Sequence, residues 1–248
     1  MSYFVTGTDT GAGKTHFSCL LVAALRAEGI AAAGFKPVCC GDRDDAVLLA
    51  AASGGLDLGQ VNPVWLKASV APLVAGMLEN RPVDVAALLK DFRRFAAEHP
   101  VVIVEGAGGW RVPLAEGYDM ADLAADLGLP VIVVVGNRLG ALNHTILTVD
   151  AIRARGLEIA GLVVNQLSDE LDTASITNKG MLEQLTGLPI LAEIIHGQDF
   201  LEVEPFLQGV MQRRTALRDL GAASGGRPIQ PIAMDHDLLE GVLDDSRD

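Results

Sequence analysis

The sequence is poor in cysteine, in aromatic residues and in positive charge, and each shortage argues against a class of protein. Only three cysteines occur in 248 residues, too few and too clustered for a disulfide framework. Aromatic residues make up 4% of the chain, and the formal net charge is −13 with no basic stripe, so we expect no nucleic-acid partner. No apolar run approaches the roughly 18 residues that a membrane span needs, so we expect no membrane partner.

The same shortages indicate a compartment. Free cysteines in an enzyme-sized chain are typical of a reducing environment, and no secretory signal precedes the first predicted strand. We therefore expect a cytoplasmic protein. The adjacent pair Cys39–Cys40 is badly spaced for a zinc site and lacks the C-x-x-C spacing of a redox motif.

Half of the residues are hydrophobic, and short β-rich runs alternate with helical stretches. This alternation predicts an α/β fold, a doubly wound, mostly parallel sheet flanked by helices in a single domain. The predicted strands are 3–7, 31–38, 101–106, 130–136, 158–166 and 189–194. The predicted helices are 15–28, 44–54, 83–100, 144–155 and 175–186. We expect this domain to span residues 1–214 and residues 215–248 to be an acidic appendage, either partly disordered or a short docking helix.

The stretch VTGTDTGAGKTHF, residues 5–17, lies between the first predicted strand and helix. A phosphate-binding loop usually has the pattern G-x-x-x-x-G-K-[ST], but here the opening glycine, Gly7, comes one residue early. Backbone N–H groups at the start of the helix would point at a phosphate of ATP. An ordinary glycine-rich turn is the alternative. The predicted nucleotide-binding residues of this loop are Gly11, Ala12, Gly13, Lys14, Thr15 and His16.

Further charged residues follow other predicted strands on the same edge of the sheet. Glu105, in VEGAGGW, stands where a phosphate-loop enzyme places a second acid for Mg²⁺, although a strand-terminal acid can simply face solvent. Asp45, in GDRDDAVLL, begins a helix, where the helix dipole alone favours an acid. Lys36, in GFKPV, lies at the end of the second predicted strand. It is either a lysine that meets a bound anion or an ordinary surface lysine.

These motifs occur together in one known family. FVTGTDT, GKT, GFKPV, DDA, VNP, VEGAGGW, PVIVVVG, LGALNH and VVNQ follow one another in this order. Over about residues 3–195 the chain resembles the ATP-dependent dethiobiotin synthetases, a deviant phosphate-loop class. The resemblance implies a homodimer with the active site at the subunit interface. It also implies a reaction in which 7,8-diaminopelargonate, CO₂ (or bicarbonate) and MgATP give dethiobiotin, ADP and phosphate, through a carbamate and a carbamic–phosphoric anhydride.

The resemblance also implies a role for each matching residue. Lys14 would bind the phosphates, Thr10 the phosphate or carbamate, and Lys36 the carbamate and the transferred phosphate. Three residues match the Mg²⁺ ligands, namely Thr15, Asp45 and Glu105. The nucleotide would also contact the turn Glu105, Gly106, Ala107 and Gly108, with Asn165 recognising adenine. The substrate would contact Cys40, Gly140 and Asn143, the last two from the partner subunit.

Three positions depart from the family pattern. Cys40 stands where serine is common, and a thiol is a weaker hydrogen-bond donor than a hydroxyl. Gly11 replaces a common glutamate, and Ile194-Ile195 replaces Ile-Pro beside the expected adenine site.

The sequence argues against two other functions. A partitioning or positioning ATPase of the MinD/ParA type has a signature lysine where this chain has Asp9. A cobyrinate-type amide synthetase usually adds a glutaminase domain, for which 248 residues leave no room.

Overall fold

The computed structural model describes residues 2–207, so the predicted appendage 215–248 lies outside the described residues. Within them the strands are β1 Tyr3–Gly7, β2 Ala32–Phe35, β3 Val38–Cys40, β4 Val64–Leu66, β5 Val101–Gly109, β6 Pro113–Ala115, β7 Tyr118–Asp119, β8 Val131–Asn137, β9 Ile159–Gln166 and β10 Ile190–Ile194. The helices are α1 Lys14–Ala27, α2 Asp44–Ala52, α3 Leu58–Val61, α4 Pro72–Leu78, α5 Val85–Glu98, α6 Met120–Leu127, α7 Ala141–Ala154 and α8 Thr173–Thr186.

Six strands form one sheet in the order β10-β9-β8-β1-β5-β2, and every pair in it is parallel. This confirms the predicted fold class. The N-terminal strand β1 lies in the interior of the sheet, between β5 and β8. Since the carboxyl ends of parallel strands lie at one edge of a sheet, the loops that follow β1, β5, β8 and β9 are brought together at that edge. Sheets of this kind bind their ligands there.

The sheet is buried on both faces, which explains why its strands are almost continuously apolar. Side chains alternate between two cores, so that Phe4 joins one and Val5 the other. Helix α1 covers the second face with Phe17, Leu21 and Leu25, which repeat every four residues. The opposite face receives most of the remaining helices. Each face therefore has its own helix layer.

The predicted second strand, 31–38, is two strands in the structure. β2 ends at Phe35, and β3 begins at Val38 and pairs with β4 in a separate two-stranded sheet. Pro37 has no N–H to donate to a ladder, while the Lys36 N–H donates to the Val61 carbonyl instead. The chain therefore turns out of the main sheet immediately after Phe35, with Lys36 at the turn.

Several elements were not predicted, namely α3, β4, α4, the β6–β7 hairpin and α6. Among residues 2–207, no helix is long and apolar enough to cross a membrane.

Candidate active site

The predicted phosphate-binding loop connects β1 to α1. Gly13 immediately precedes the helix with φ +95°, a conformation that side chains other than glycine's rarely adopt. A methyl group there would also lie 2.0 Å from Asn165 Nδ2. Gly11 has a positive φ as well, but open space surrounds it. Of the two glycines Gly11 and Gly13, Gly13 alone is required to be glycine both by its backbone and by its neighbour.

Lys14 lies in the first turn of α1 and is buried. Its Nζ donates to the backbone carbonyl of Asp9 within the loop at 3.2 Å. Burial and then the nearby Lys36 ammonium lower the pKa of Lys14, because both disfavour its charged form. An anion bound in the loop would offset both effects.

Four side chains meet beside this loop, three from α1, α2 and β5 and one from the turn after β2. Thr15 Oγ1, from α1, lies 2.8 Å from both Asp45 Oδ1 and Glu105 Oε1. Lys36 Nζ donates to Asp45 Oδ2 and to Glu105 Oε1, each at 2.6 Å, and to the Gly106 carbonyl at 3.3 Å. The two acids lie in α2 and β5. We call Thr15, Lys36, Asp45 and Glu105 the charge cluster.

The charges of the cluster depend on each other. Burial alone would lower the pKa of Lys36, but Glu105 and Asp45 outweigh it and hold that pKa above its ordinary value. Burial acts to raise the pKa of Asp45, yet the Lys36 ammonium keeps it below its usual range. Lys36 is only 2% exposed, so it is a buried lysine and the alternative of an ordinary surface lysine is wrong.

The oxygen atoms of the cluster fit a divalent cation. Glu105 Oε2 is buried and has no hydrogen-bond partner. The Thr15 hydroxyl has a single proton, so only one of its two 2.8 Å contacts to carboxylate oxygens is a hydrogen bond. Mg²⁺ prefers one or two carboxylates completed by phosphate oxygens and water. Within residues 2–207 no group of three or more His, Cys, Asp or Glu could hold a metal, so this smaller set is the metal-binding candidate.

A cavity of about 580 Å³ opens over the loop and the cluster. Most of the predicted residues contribute to its wall, namely Thr10, Gly11, Gly13, Lys14, Thr15, Lys36, Cys40, Asp45, Ala107 and Gly108. The wall also contains residues that no motif indicated, at 69–72 and Val112. The proline at the first position of α4, Pro72, is a helix-start signal that marks this segment in the sequence.

Other predicted residues lie elsewhere. His16 is exposed in the first turn of α1. Asn165, at the end of β9, is buried and donates its amide to the Ala12 carbonyl at 3.0 Å. Gly140 precedes α7 with φ +92°, and Asn143 is exposed in the first turn of that helix. None of these four residues is among those that line the cavity.

The family model of an AAA domain matches residues 1–199. The ATP-dependent dethiobiotin synthetase of Akkermansia muciniphila is 50% identical over 208 residues, which cover 84% of this chain and 98% of that protein. The chain belongs to the dethiobiotin synthetase family. The Bacillus subtilis synthetase, 40% identical, aligns with 76% of this chain and 84% of its own length.

Solved structures resemble the family fold at much lower identity. A ParA family ATPase from Chlorobium tepidum TLS has a TM-score of 0.50 at 16% identity, covering 80% of this chain and 85% of that one. Chloroplast FtsY from Physcomitrella patens has a TM-score of 0.50 at 17% identity, covering 84% of this chain and 63% of that one. These likenesses concern the phosphate-loop fold alone.

Proposed function

We propose that the protein is an ATP-dependent ligase of biotin synthesis that carboxylates 7,8-diaminopelargonate and closes its ring, giving dethiobiotin, ADP and phosphate. The charge cluster beside the phosphate-binding loop carries this proposal, together with membership of the synthetase family. Phosphoryl transfer asks a protein mainly for positioning and charge neutralisation, and both are present here.

The reaction has three balanced steps. One amine adds to CO₂ and loses a proton, giving a carbamate. A carbamate oxygen attacks the γ-phosphorus of ATP, and ADP leaves. The second amine attacks the carbonyl of the resulting carbamic–phosphoric anhydride and loses a proton, and phosphate leaves with closure of the ureido ring.

The chain's cations address the central difficulty of this sequence, the approach of two anions. Carbamate and γ-phosphate repel each other, and a positive group between them lowers the barrier. Lys36 lines the cavity wall near Lys14, so we assign Lys14 and Thr10 to the phosphates and Lys36 to the carbamate and the transferred phosphate. Mg²⁺, held by Thr15, Asp45 and Glu105, would supply further neutralisation of phosphate charge.

The remaining assignments follow the resemblance. Asn165 is assigned to adenine, the Glu105–Gly108 turn to the nucleotide, and Cys40 to the substrate. Gly140 and Asn143 are assigned to the carboxylate of the substrate bound in the partner subunit, and neither residue lines the cavity of its own chain.

An exposed apolar surface supports the homodimer. Leu139 is 82% exposed and Leu147 is 61% exposed. Leu147 lies four residues after Asn143, on the same face of α7. Light scattering of the full chain should give a dimer. A monomer at assay concentration would contradict a shared site.

Lys36→Ala tests the mechanism. Turnover of MgATP, bicarbonate and diaminopelargonate should fall by at least about 100-fold, since a buried cation facing the reacting anions is lost, while ADP binding by calorimetry stays nearly unchanged. Lys179→Ala is the matched control, because Lys179 is an exposed lysine paired with Glu193. Mass spectrometry should show dethiobiotin.

Three results would count against the proposal. Full activity of Lys36→Ala would remove Lys36 from the mechanism. ATP hydrolysis that ignores diaminopelargonate but responds to DNA or lipid would contradict the function itself. Loss of activity in Lys179→Ala as severe as in Lys36→Ala would show that the assay reports lysine loss in general.

A further inference from the structure

Three amide side chains, two of them buried and one half-buried, meet where β8 and β9 end. Asn137 Nδ2 donates to Gln166 Oε1 at 2.9 Å and to the Ser175 carbonyl at 2.8 Å. Asn178 Nδ2, from α8, donates to Asn137 Oδ1 at 2.9 Å and to the Arg138 carbonyl at 3.1 Å. We call Asn137, Gln166 and Asn178 the amide cluster.

The amide cluster is an exception within an apolar layer. The first five residues of β8, Val131 to Val135, are fully buried and apolar, whereas Asn137 and Asn178 are polar and at most 5% exposed. Buried amides cost free energy unless they are hydrogen-bonded, and a connected network fixes each group in one orientation. The cluster therefore holds its partners in a defined geometry.

The partner that matters is the Arg138 carbonyl, the first carbonyl after β8. Two residues later the chain turns at Gly140, with φ +92°, to begin α7. The Arg138 side chain also reaches Asp9 of the phosphate-binding loop, Nη2 to Oδ2, at 3.1 Å. Arg138 is thus held through its backbone by α8 and through its side chain by the phosphate loop.

We propose that Asn178 is a positioning residue for diaminopelargonate. By holding the Arg138 carbonyl it fixes the turn at Gly140, and with it the segment 140–143 that receives the substrate carboxylate, without touching substrate itself. This inference rests on the proposed function. It predicts that a substitution of Asn178 weakens the binding of diaminopelargonate and leaves nucleotide binding nearly unchanged. The reason is that none of the hydrogen bonds of the Asn178 side chain goes to residues 8–15.

Two variants test it. Asn178→Ala removes both hydrogen bonds, and Asn178→Asp keeps the shape but replaces the donor with a carboxylate that faces two carbonyl acceptors. Each should raise KM for diaminopelargonate about tenfold, as expected for a small displacement of a binding segment. The Kd for ADP should stay within about twofold. Thr177→Ala is the matched control, because the exposed Thr177 hydroxyl bonds only within α8.

Hydrogen exchange of the full-length protein supplies a readout that needs no activity. The backbone amides of residues 139–144 should exchange faster in both Asn178 variants than in the wild type. In Thr177→Ala their exchange rates should be unchanged. Unchanged exchange in a folded Asn178 variant, or equal loss of substrate and nucleotide binding, would overturn the inference. If the wild type does not turn over diaminopelargonate, the proposed function fails, and the exchange data alone decide whether Asn178 positions the segment.

Discussion

Replacing Gly13 by alanine would place a methyl group 2.0 Å from Asn165 Nδ2, on a backbone with φ +95°. The left-handed backbone costs about 1–2 kcal/mol for a residue with a Cβ. Asn165 must then move and give up its hydrogen bond to the Ala12 carbonyl, which costs about 1–3 kcal/mol for a buried pair. The free energy of unfolding should therefore fall by about 2–5 kcal/mol.

Gly11→Ala is the matched control, because Gly11 lies in the same loop with φ +74° and no atom within 4 Å of the added methyl. It should lose only the backbone contribution of about 1–2 kcal/mol. For a domain of this size, Tm should fall by about 4–20 °C in Gly13→Ala and by about 2–8 °C in Gly11→Ala. Thermal unfolding without nucleotide measures both.

A double variant isolates the clash. Adding Asn165→Ala to Gly13→Ala removes the obstructing amide, so the two substitutions together should cost less than the sum of their separate effects. Equal losses in Gly11→Ala and Gly13→Ala would refute the steric argument. Strict additivity of the Gly13 and Asn165 substitutions would refute it independently, since the two residues would then not be in contact.

Two further outcomes follow from pKa shifts. Burial raises the pKa of the Cys39 thiol to about 11 and that of Cys19 to about 12, so at pH 8 at most about a thousandth of either is thiolate. Iodoacetamide should leave Cys39 and Cys19 unmodified in the folded protein and label the half-buried Cys40 first. Rapid labelling of Cys39, detected by mass spectrometry, would contradict this. The Ser175 N–H holds the pKa of Asp172 below its usual value. Asp172 therefore stabilises the folded protein above about pH 4, and this contribution is lost as the pH falls further. Asp172→Ala should therefore lower Tm at pH 7, and the difference in Tm between variant and wild type should narrow below pH 4. An equal Tm difference at pH 3 would exclude a stabilising hydrogen bond from the Ser175 N–H to the ionised Asp172 carboxylate at the start of α8.

The sequence predicted the sheet well because its evidence was local. Buried parallel strands are continuous apolar runs, and β1, β5, β8, β9 and β10 were all predicted within a few residues of their observed bounds. The second strand was predicted too long because Val38 was joined to the apolar run before Lys36 and Pro37, whereas β3 pairs with β4 in a separate sheet.

The candidate site was predicted by residue type and not by geometry. Motifs named Lys36 and Glu105, but their contact joins residues 69 positions apart, a separation that no local pattern encodes. The sequence left open whether Lys36 was a surface lysine, and only burial decides that. Asn178 carried no motif at all, because an asparagine inside a helix is indistinguishable from a solvent-exposed one until its neighbours are known.

The interior position of β1 has a consequence for synthesis. Its two neighbours, β5 and β8, begin about a hundred residues and more after it in the chain. At ribosomal rates of roughly 5–20 residues per second, the first strand waits on the order of ten seconds before its second neighbour exists. During that interval the apolar segment YFVTG lacks a hydrogen-bonded neighbouring strand on at least one side. The nascent chain can therefore bind chaperones or associate wrongly until β8 has emerged. The phosphate-binding loop is therefore made well before the strands β5 and β8 that flank β1.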